Sequence, residues 1–286
     1  MVVTSPPPIP PASGRGDARA ALRNAATRFS SSVTPRLDAE LLLAHALGIT
    51  REALLLDLDR PAPPGFAALV ERRAAQEPVA YITGTRGFWT IDLLVGPGVL
   101  IPRSDSETLM EAAVAHYAGA AGPARVLDLG TGPGTLLLAA LDQWPAATGI
   151  GVDNSLVALD YARRNAVALG MDDRVGLREA IWAEGLDGRF DLILANPPYI
   201  ATHEALPAEV SAFEPAEALF AGVDGLGDYR RIAPALPRLL APGGVACIEI
   251  GYRQAEAVSA LLRGQGLRIA VRHDLGGRDR CVVATA

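Results

Sequence analysis

The sequence predicts an α/β protein: a mostly parallel sheet of seven strands covered by helices on both faces, with a small helical domain ahead of it. Three observations predict it. From Arg125 on, apolar runs of strand length alternate with segments of helical periodicity. The region before residue 84 carries helical stripes and no strand-like run. Two loop signals, Gly130-Thr131-Gly132-Pro133-Gly134 and Asn196-Pro197-Pro198-Tyr199, each follow such an apolar run.

Taken in order, residues 1–17 are rich in Pro, Ser and Gly and read as a disordered tail without the basic start of a secretory signal. Residues 18–85 read as a helical domain. After Thr34-Pro35, the residues Leu37, Leu41, Leu42, Leu43, Ala44 and Leu47 give an apolar stripe that Gly48 ends. A helix is expected near Thr50, carrying Leu54, Leu55 and Leu58. Pro61, Pro63 and Pro64 mark a turn, and Phe66, Leu69 and Val70 mark another helix. Residues 86–100 change character: Phe88, Trp89, Ile91, Leu93, Leu94 and Val95 alternate imperfectly up to Gly96-Pro97-Gly98, a candidate β-hairpin linker. Ser104 and Glu107 then have the spacing of a capping box, which leaves Arg103 and Asp105 unexplained. Strands are expected near 125–129, 148–153, 175–179, 190–195, 244–250, 267–273 and 280–285. Helices are expected at 105–118, 135–143, 155–169, 228–240 and 252–264. The last two strands are joined too tightly for a crossover helix, so they should pair antiparallel.

Composition bounds the function. With 286 residues, half of them apolar, a substantial core forms. The net charge of −6 is not that of a non-specific nucleic-acid binder. Between Asp17 and Tyr81 eight arginines balance eight acids, which argues against a bundle built for the DNA backbone. Cys247 and Cys281 sit in apolar runs and read as buried thiols, and the four histidines show no ligand spacing, so no metal is expected. No window reaches eighteen apolar residues; the expectation is a cytoplasmic protein with no membrane partner.

The glycine loop lets backbone approach a ligand closely because no Cβ intervenes. Nicotinamide-binding folds use such a loop too, but here the pattern is Asp128-x-Gly130-x-Gly132-x-Gly134, and Pro133 removes one N–H. A pyrophosphate wants converging donors, so a cofactor without phosphate fits better. Asp153, nineteen residues after Gly134, can accept hydrogen bonds from two ribose hydroxyls, a role shared by nicotinamide dinucleotides and S-adenosylmethionine. Trp182 is placed to cover an adenine face. The packing alternatives are a helix cap for Asp153 and a core position for Trp182.

In the second loop, the Asn196 side-chain oxygen and the Pro197 carbonyl are two acceptors suited to both hydrogens of a planar NH2, and Tyr199 can stack on its plane. Such a nitrogen is a poor nucleophile while its lone pair is delocalised. Held this way it can become more tetrahedral and aim that pair at an electrophilic methyl carbon. The alternative is a stiff turn after a core strand.

With these residues assembled, the chain resembles the release-factor glutamine methyltransferases, the HemK/PrmC family. The resemblance covers about 18–286. Its segments include Pro78-Val79-Ala80-Tyr81-Ile82-Thr83-Gly84, Ile101-Pro102-Arg103-Ser104-Asp105-Ser106-Glu107, the two loops, Glu214-Pro215 and Glu249-Ile250-Gly251. It implies a class I methyltransferase fold, S-adenosylmethionine as cofactor, and as acceptor the glutamine amide of the Gly-Gly-Gln loop of peptide chain release factors. It implies a substrate-recognition domain at 18–85, a hairpin linker at 86–100 and a methyltransferase domain at 101–286. Residue by residue, the family's cofactor loop falls on Gly130, Thr131, Gly132, Pro133 and Gly134, its ribose acid on Asp153 and its adenine-side aromatic on Trp182. Its glutamine clamp falls on Asn196, Pro197, Pro198 and Tyr199, with Asn196 also close to the cofactor. Pro133 stands where the family has Ser or Thr, Ser104 and Ser106 where it has Pro and Thr, and Ala195 where Ser is common. The rival readings are an adenine-N6 methyltransferase on nucleic acid, a non-catalytic release-factor or ribosome-binding protein and, more remotely, a dinucleotide dehydrogenase.

Overall fold

The computed structural model describes residues 17–286. The tail expected at 1–17 therefore lies, apart from Asp17, outside the described residues. The chain divides into two units between Thr83 and Gly84.

The first unit is helical: α1 (Ala18–Arg28), α2 (Pro35–Leu47), α3 (Arg51–Leu56), α4 (Phe66–Ala74) and α5 (Val79–Thr83). Local chemistry sets its boundaries. Asp17 accepts from Arg19 N at 2.9 Å and caps α1; Thr50 Oγ1 accepts from Ala53 N at 3.2 Å and caps α3. Gly48, at φ +66°, closes α2 in the left-handed conformation that a glycine adopts without strain. Leu22, Leu42, Leu43, Leu54, Phe66 and Val70 form the core. Leu37 and Leu55, expected on the buried stripe, stand exposed. Asp38 and Arg73 form a buried ion pair at 2.8 Å, and the hydroxyls of Ser32 and Thr34 also donate to Asp38.

The second unit opens with an antiparallel hairpin, β1 (Thr85–Phe88) and β2 (Ile91–Leu94), in which Phe88 pairs with Ile91. A 3₁₀ turn (Ser104–Ser106) leads into α6 (Glu107–His116). There follow β3 (Arg125–Leu129), α7 (Thr135–Gln143), β4 (Thr148–Asp153), α8 (Leu156–Ala168), β5 (Val175–Glu179) and β6 (Phe190–Ala195). The short α9 (Ala208–Phe213) precedes α10 (Gly227–Ile232), α11 (Leu236–Leu239), β7 (Leu240–Glu249), α12 (Ala255–Arg263), β8 (Arg268–His273) and β9 (Asp279–Thr285). Seven strands form one sheet in the order β5-β4-β3-β6-β7-β9-β8. β9 runs antiparallel to both its neighbours and the rest pair in parallel; the mostly parallel sheet and the antiparallel β8–β9 pair are as the sequence predicts.

Two expectations need correction. No capping box forms: Ser104 makes no capping bond, and the Glu107 carboxylate accepts from Trp89 N at 3.1 Å instead. Trp89 turns the hairpin at φ +54°, and its N–H is satisfied by a side chain eighteen residues on. The single helix expected at 228–240 is two short helices around a 3₁₀ turn, because Pro234 and Pro237 carry no N–H for a continuous ladder.

Leu127, Leu129, Phe190, Ile193, Leu236 and Ile248 lie in the core beside the sheet. Cys247 and Cys281 are fully buried free thiols, as expected. Among the described residues no helix is long and apolar enough to cross a membrane, and no group of His, Cys, Asp and Glu gathers as a metal site.

Candidate functional site

The strand order reverses at β3: the chain runs outward through β4 and β5, then returns to lay β6 on the other side. At such a switch point the loops leaving two neighbouring parallel strands diverge and open a crevice. Leu129 is in register with Ala195, so the glycine loop and the asparagine loop begin side by side at the same sheet edge. A cleft of about 540 Å³ lies there. Of the residues singled out from sequence, Gly130, Gly132, Asp153, Trp182, Asn196 and Pro198 line it. Thr131, Pro133 and Gly134 do not; they shape the loop from behind. Thr131 is buried and donates to Asp128, the Pro133 carbonyl accepts from Asn165 Nδ2 at 2.8 Å, and a Cβ on Gly134 would meet Leu138 at 2.8 Å. Asn165 also bonds the Leu94 amide and carbonyl at 2.7 and 3.0 Å, tying the hairpin to the glycine loop.

The donors of the glycine loop are all consumed internally. Gly130 N and Thr131 N both donate to Val152 O at 2.8 and 2.9 Å, and Gly134 N donates to Thr131 O at 2.9 Å. Gly132 N donates to Asp153 Oδ2 at 2.8 Å, and Pro133 has no N–H to give. No set of amides remains to converge on a phosphate, the condition a pyrophosphate site requires.

Beneath the loop, Asp128 is buried. Its Oδ2 accepts from Thr131 Oγ1 at 2.7 Å and Leu137 N at 3.1 Å, while Oδ1 has no partner. Burial pushes this carboxyl up to about 7, hydrogen bonds from Thr131 and Leu137 oppose the shift, and the neighbouring Asp153 adds to it. A buried acceptor without a donor is costly in the free chain. Burial also raises the Asp153 carboxyl, against backbone N–H bonds from Ser155, Gly132 and Asn154. Its Oδ1 accepts from Ser155 N at 2.9 Å, so the helix-cap alternative is also present, and each oxygen keeps a further lone pair.

Trp182 sits at φ +51°, and its indole N–H donates to Asp228 Oδ1 at 3.0 Å. Its ring packs so closely on Gly130 that a Cβ there would lie 3.0 Å from it. The ring is thereby fixed on the cleft wall.

In the second loop Asn196 Nδ2 donates to Ser106 Oγ at 3.1 Å, and Ser106 donates in turn to the buried Glu249 carboxylate. Neither Asn196 Oδ1 nor the Pro197 carbonyl accepts a hydrogen bond among the described residues. Pro197 and Tyr199 lie outside the cleft lining. The Tyr199 backbone is held by Gln254 Nε2 at 2.9 Å, and its hydroxyl faces Glu249. Burial, then the charge of Glu249, keeps that hydroxyl protonated well above its ordinary range. Glu214 accepts from Ile101 N at 3.0 Å and pairs with Arg103, so it joins the segment before α6 to the segment after the asparagine loop, where Pro215 lines the cleft. Sequence reading gave no role to the Asp228, Ser155 or Glu249 side chains, and it met Ser106 only as part of an expected helix start and as a departure within a family-like segment. The bonds of Asp228 and Glu249 span 46 and 143 residues, which no local pattern reveals.

The sheet order and the paired loops define a class I methyltransferase fold. Solved structures agree at the level of fold: a ribosomal protein L11 methylase from Lactobacillus delbrueckii subsp. bulgaricus superposes with a TM-score of 0.50 at 21% identity, covering 67% of this chain and 83% of that one. A methyltransferase from Pyrococcus furiosus gives 0.50 at 16% identity, covering 68% and 88%. The family model of the PrmC N-terminal domain matches residues 20–84, and that of the methyltransferase small domain matches 106–218. The release factor glutamine methyltransferase of Rhodospirillum rubrum is 46% identical over 257 residues, 87% of this chain and 78% of that one. That of Xylella fastidiosa is 47% identical over 255 residues, 87% and 92%. The chain belongs to the release factor glutamine methyltransferase family.

Proposed function

We propose that this chain moves a methyl group from S-adenosylmethionine to the side-chain amide nitrogen of the glutamine in the Gly-Gly-Gln loop of peptide chain release factors. The observation that carries the reading is the pair of unpartnered acceptors, Asn196 Oδ1 and Pro197 O, on the loop next to a donor-saturated glycine loop. The residues present fit this cofactor. It has no phosphate, and the loop offers none a site. Asp128 lies beneath the loop, outside the cleft lining, where its charge rather than a direct contact favours the cofactor's ammonium group, and Gly132 leaves open space where a Cβ would stand. When bound, the cofactor supplies an electrophilic methyl carbon on a sulfonium.

The chain's own residues do the rest. Gly130, Thr131, Gly132, Pro133 and Gly134 form the cofactor loop, of which Gly130 and Gly132 give the contact surface. Asp153 accepts from the ribose hydroxyls and Trp182 bounds the adenine. Asn196 Oδ1 and Pro197 O take the two amide hydrogens, drawing the nitrogen out of conjugation, while Pro198 stiffens the loop and Tyr199 stacks on the amide plane. No base has to remove a proton before attack: the amide nitrogen carries two hydrogens, and once methylated it would release one of them to water, leaving a neutral N-methyl amide. The helical unit serves substrate recognition, and the reaction belongs in the cytoplasm, where release factors work. The net charge of −6 supports a protein acceptor over nucleic acid.

The test is labelled-methyl transfer to purified release factor, to its Gln-to-Ala loop variant and to an adenine-containing duplex. The proposal expects label in the first alone. Label in the duplex, or equal label in the loop variant, contradicts it.

A further inference from the structure

We infer that Ser106 and Glu249 form a hydrogen-bond relay that sets which way the Asn196 amide faces, and so switches the acceptor clamp on. The inference rests on the reading of Asn196 as an amide clamp.

An asparagine amide is nearly symmetric in shape, so packing alone does not distinguish its oxygen from its nitrogen. A clamp for an NH2 group needs the oxygen toward the acceptor, and something must enforce that orientation. Ser106 Oγ contacts Asn196 Nδ2 at 3.1 Å on one side and the Glu249 carboxylate on the other. A hydroxyl has one hydrogen. An ionised carboxylate is acceptor-only and claims it. Toward Asn196, Ser106 can then only accept, so Asn196 must present its NH2 there and turn Oδ1 away, leaving that oxygen free for an acceptor. With Glu249 protonated the logic reverses. Its O–H can donate to Ser106, the serine hydrogen is released toward Asn196, and the flipped amide offers NH2 where an oxygen is required.

Glu249 is built for this role from all sides. It lies at the end of β7, 1% exposed, with Ser106, Tyr199, Arg280 and Asp105 facing its carboxylate and Cys281 opposite it on β9. Arg280 is itself held by Asp274 and Asp105, each at 3.1 Å. The Tyr229 hydroxyl donates to the Glu249 backbone carbonyl at 2.9 Å. Burial pushes the carboxyl up to about 7, opposed by Ser106, Arg280 and Tyr199 and aided by Asp105. Ser106 and Glu249 are positioning residues: neither lines the cleft.

The experiment uses the full chain with asparagine side-chain amides labelled with ¹⁵N. The sequence has only Asn24, Asn154, Asn165 and Asn196, so the spectrum is simple, and Asn196→Ala identifies the signal. The inference expects the Asn196 NH2 signal to move in Ser106→Ala and to stay in Ser106→Thr, which keeps the hydroxyl. Methyl transfer to release factor should lose about tenfold in kcat in Ser106→Ala, roughly what one hydrogen bond supports, with KM and S-adenosylhomocysteine affinity within about twofold. Ser106→Thr should recover it. In the parent the Asn196 signal should titrate near pH 7, and in Glu249→Gln it should not, a readout that holds even if Ser106→Ala does not fold. Parental kcat in Ser106→Ala with an unmoved signal, or a parental signal flat from about pH 6 to 8, overturns the relay. The clamp reading fails separately, through an Asn196→Ala variant that methylates at the parental rate.

Discussion

Gly132→Ala separates a cofactor cradle from a merely tight turn. Gly132 sits at φ +56°, and an added Cβ meets no protein atom within 4 Å, because it would project into the cleft. The fold therefore bears only the left-handed backbone penalty, about 1–2 kcal/mol. In a unit of this size that lowers Tm by roughly 2–8 °C. A ligand lying against the loop bears a further cost, since a methyl group forced into a filled contact costs about 1–3 kcal/mol, or a factor of roughly 5 to 150 in affinity. Gly134→Ala is the control. It shares the left-handed backbone at φ +89°, but its Cβ would meet Leu138 Cδ1 at 2.8 Å, away from the cleft lining. It should lose at least as much stability while keeping affinity within about threefold. Isothermal titration with S-adenosylhomocysteine beside thermal melts of each variant reads both quantities. Parental affinity in Gly132→Ala, or equal affinity losses in the two variants, would refute the assignment of Gly132 to the ligand surface.

Other perturbations probe separate parts of the account. Asn196→Ala should lower kcat by about 10²–10³, the usual loss for one oriented dipole at a reacting centre, while S-adenosylhomocysteine still binds; single-turnover transfer measures it. Asp128 is a carboxyl raised from 3.8 to about 7, so its stability contribution is full below about 3.8 and is lost as pH rises through about 7. Asp128→Asn should consequently raise the melting temperature of the ligand-free protein most at pH 8, less at pH 5 and little below about pH 3.8, and weaken cofactor binding. Arg73→Ala leaves Asp38 buried without its guanidinium partner and should cost the helical unit about 3–5 kcal/mol, read by urea denaturation.

Much of the second unit was legible because its strands are short apolar runs whose ends coincide with chemical punctuation. β6 stops where Asn196-Pro197-Pro198 can no longer continue a ladder, and β3 stops at Gly130. The close connection between β8 and β9 left an antiparallel pair as the only option. The cleft was legible in part for the same reason: loops leaving adjacent strands are local in sequence, and the switch point brings them together. What stayed hidden depends on distant partners. Ser106 and Glu107 looked like the opening of one helix, yet one serves Asn196 ninety residues away and the other serves the hairpin amide of Trp89. Thr131, Pro133 and Gly134 share a motif with Gly130 and Gly132, but they are turned toward Asp128, Asn165 and Leu138, and spacing does not say which residues meet the cleft.

A structure of the chain bound to S-adenosylhomocysteine and a release-factor Gly-Gly-Gln loop addresses the amide clamp most directly. The account predicts Asn196 Oδ1 and Pro197 O both within hydrogen-bonding reach of the glutamine nitrogen, with the Tyr199 ring against the amide plane. A glutamine held by other groups, with those two oxygens turned from its nitrogen, would contradict it.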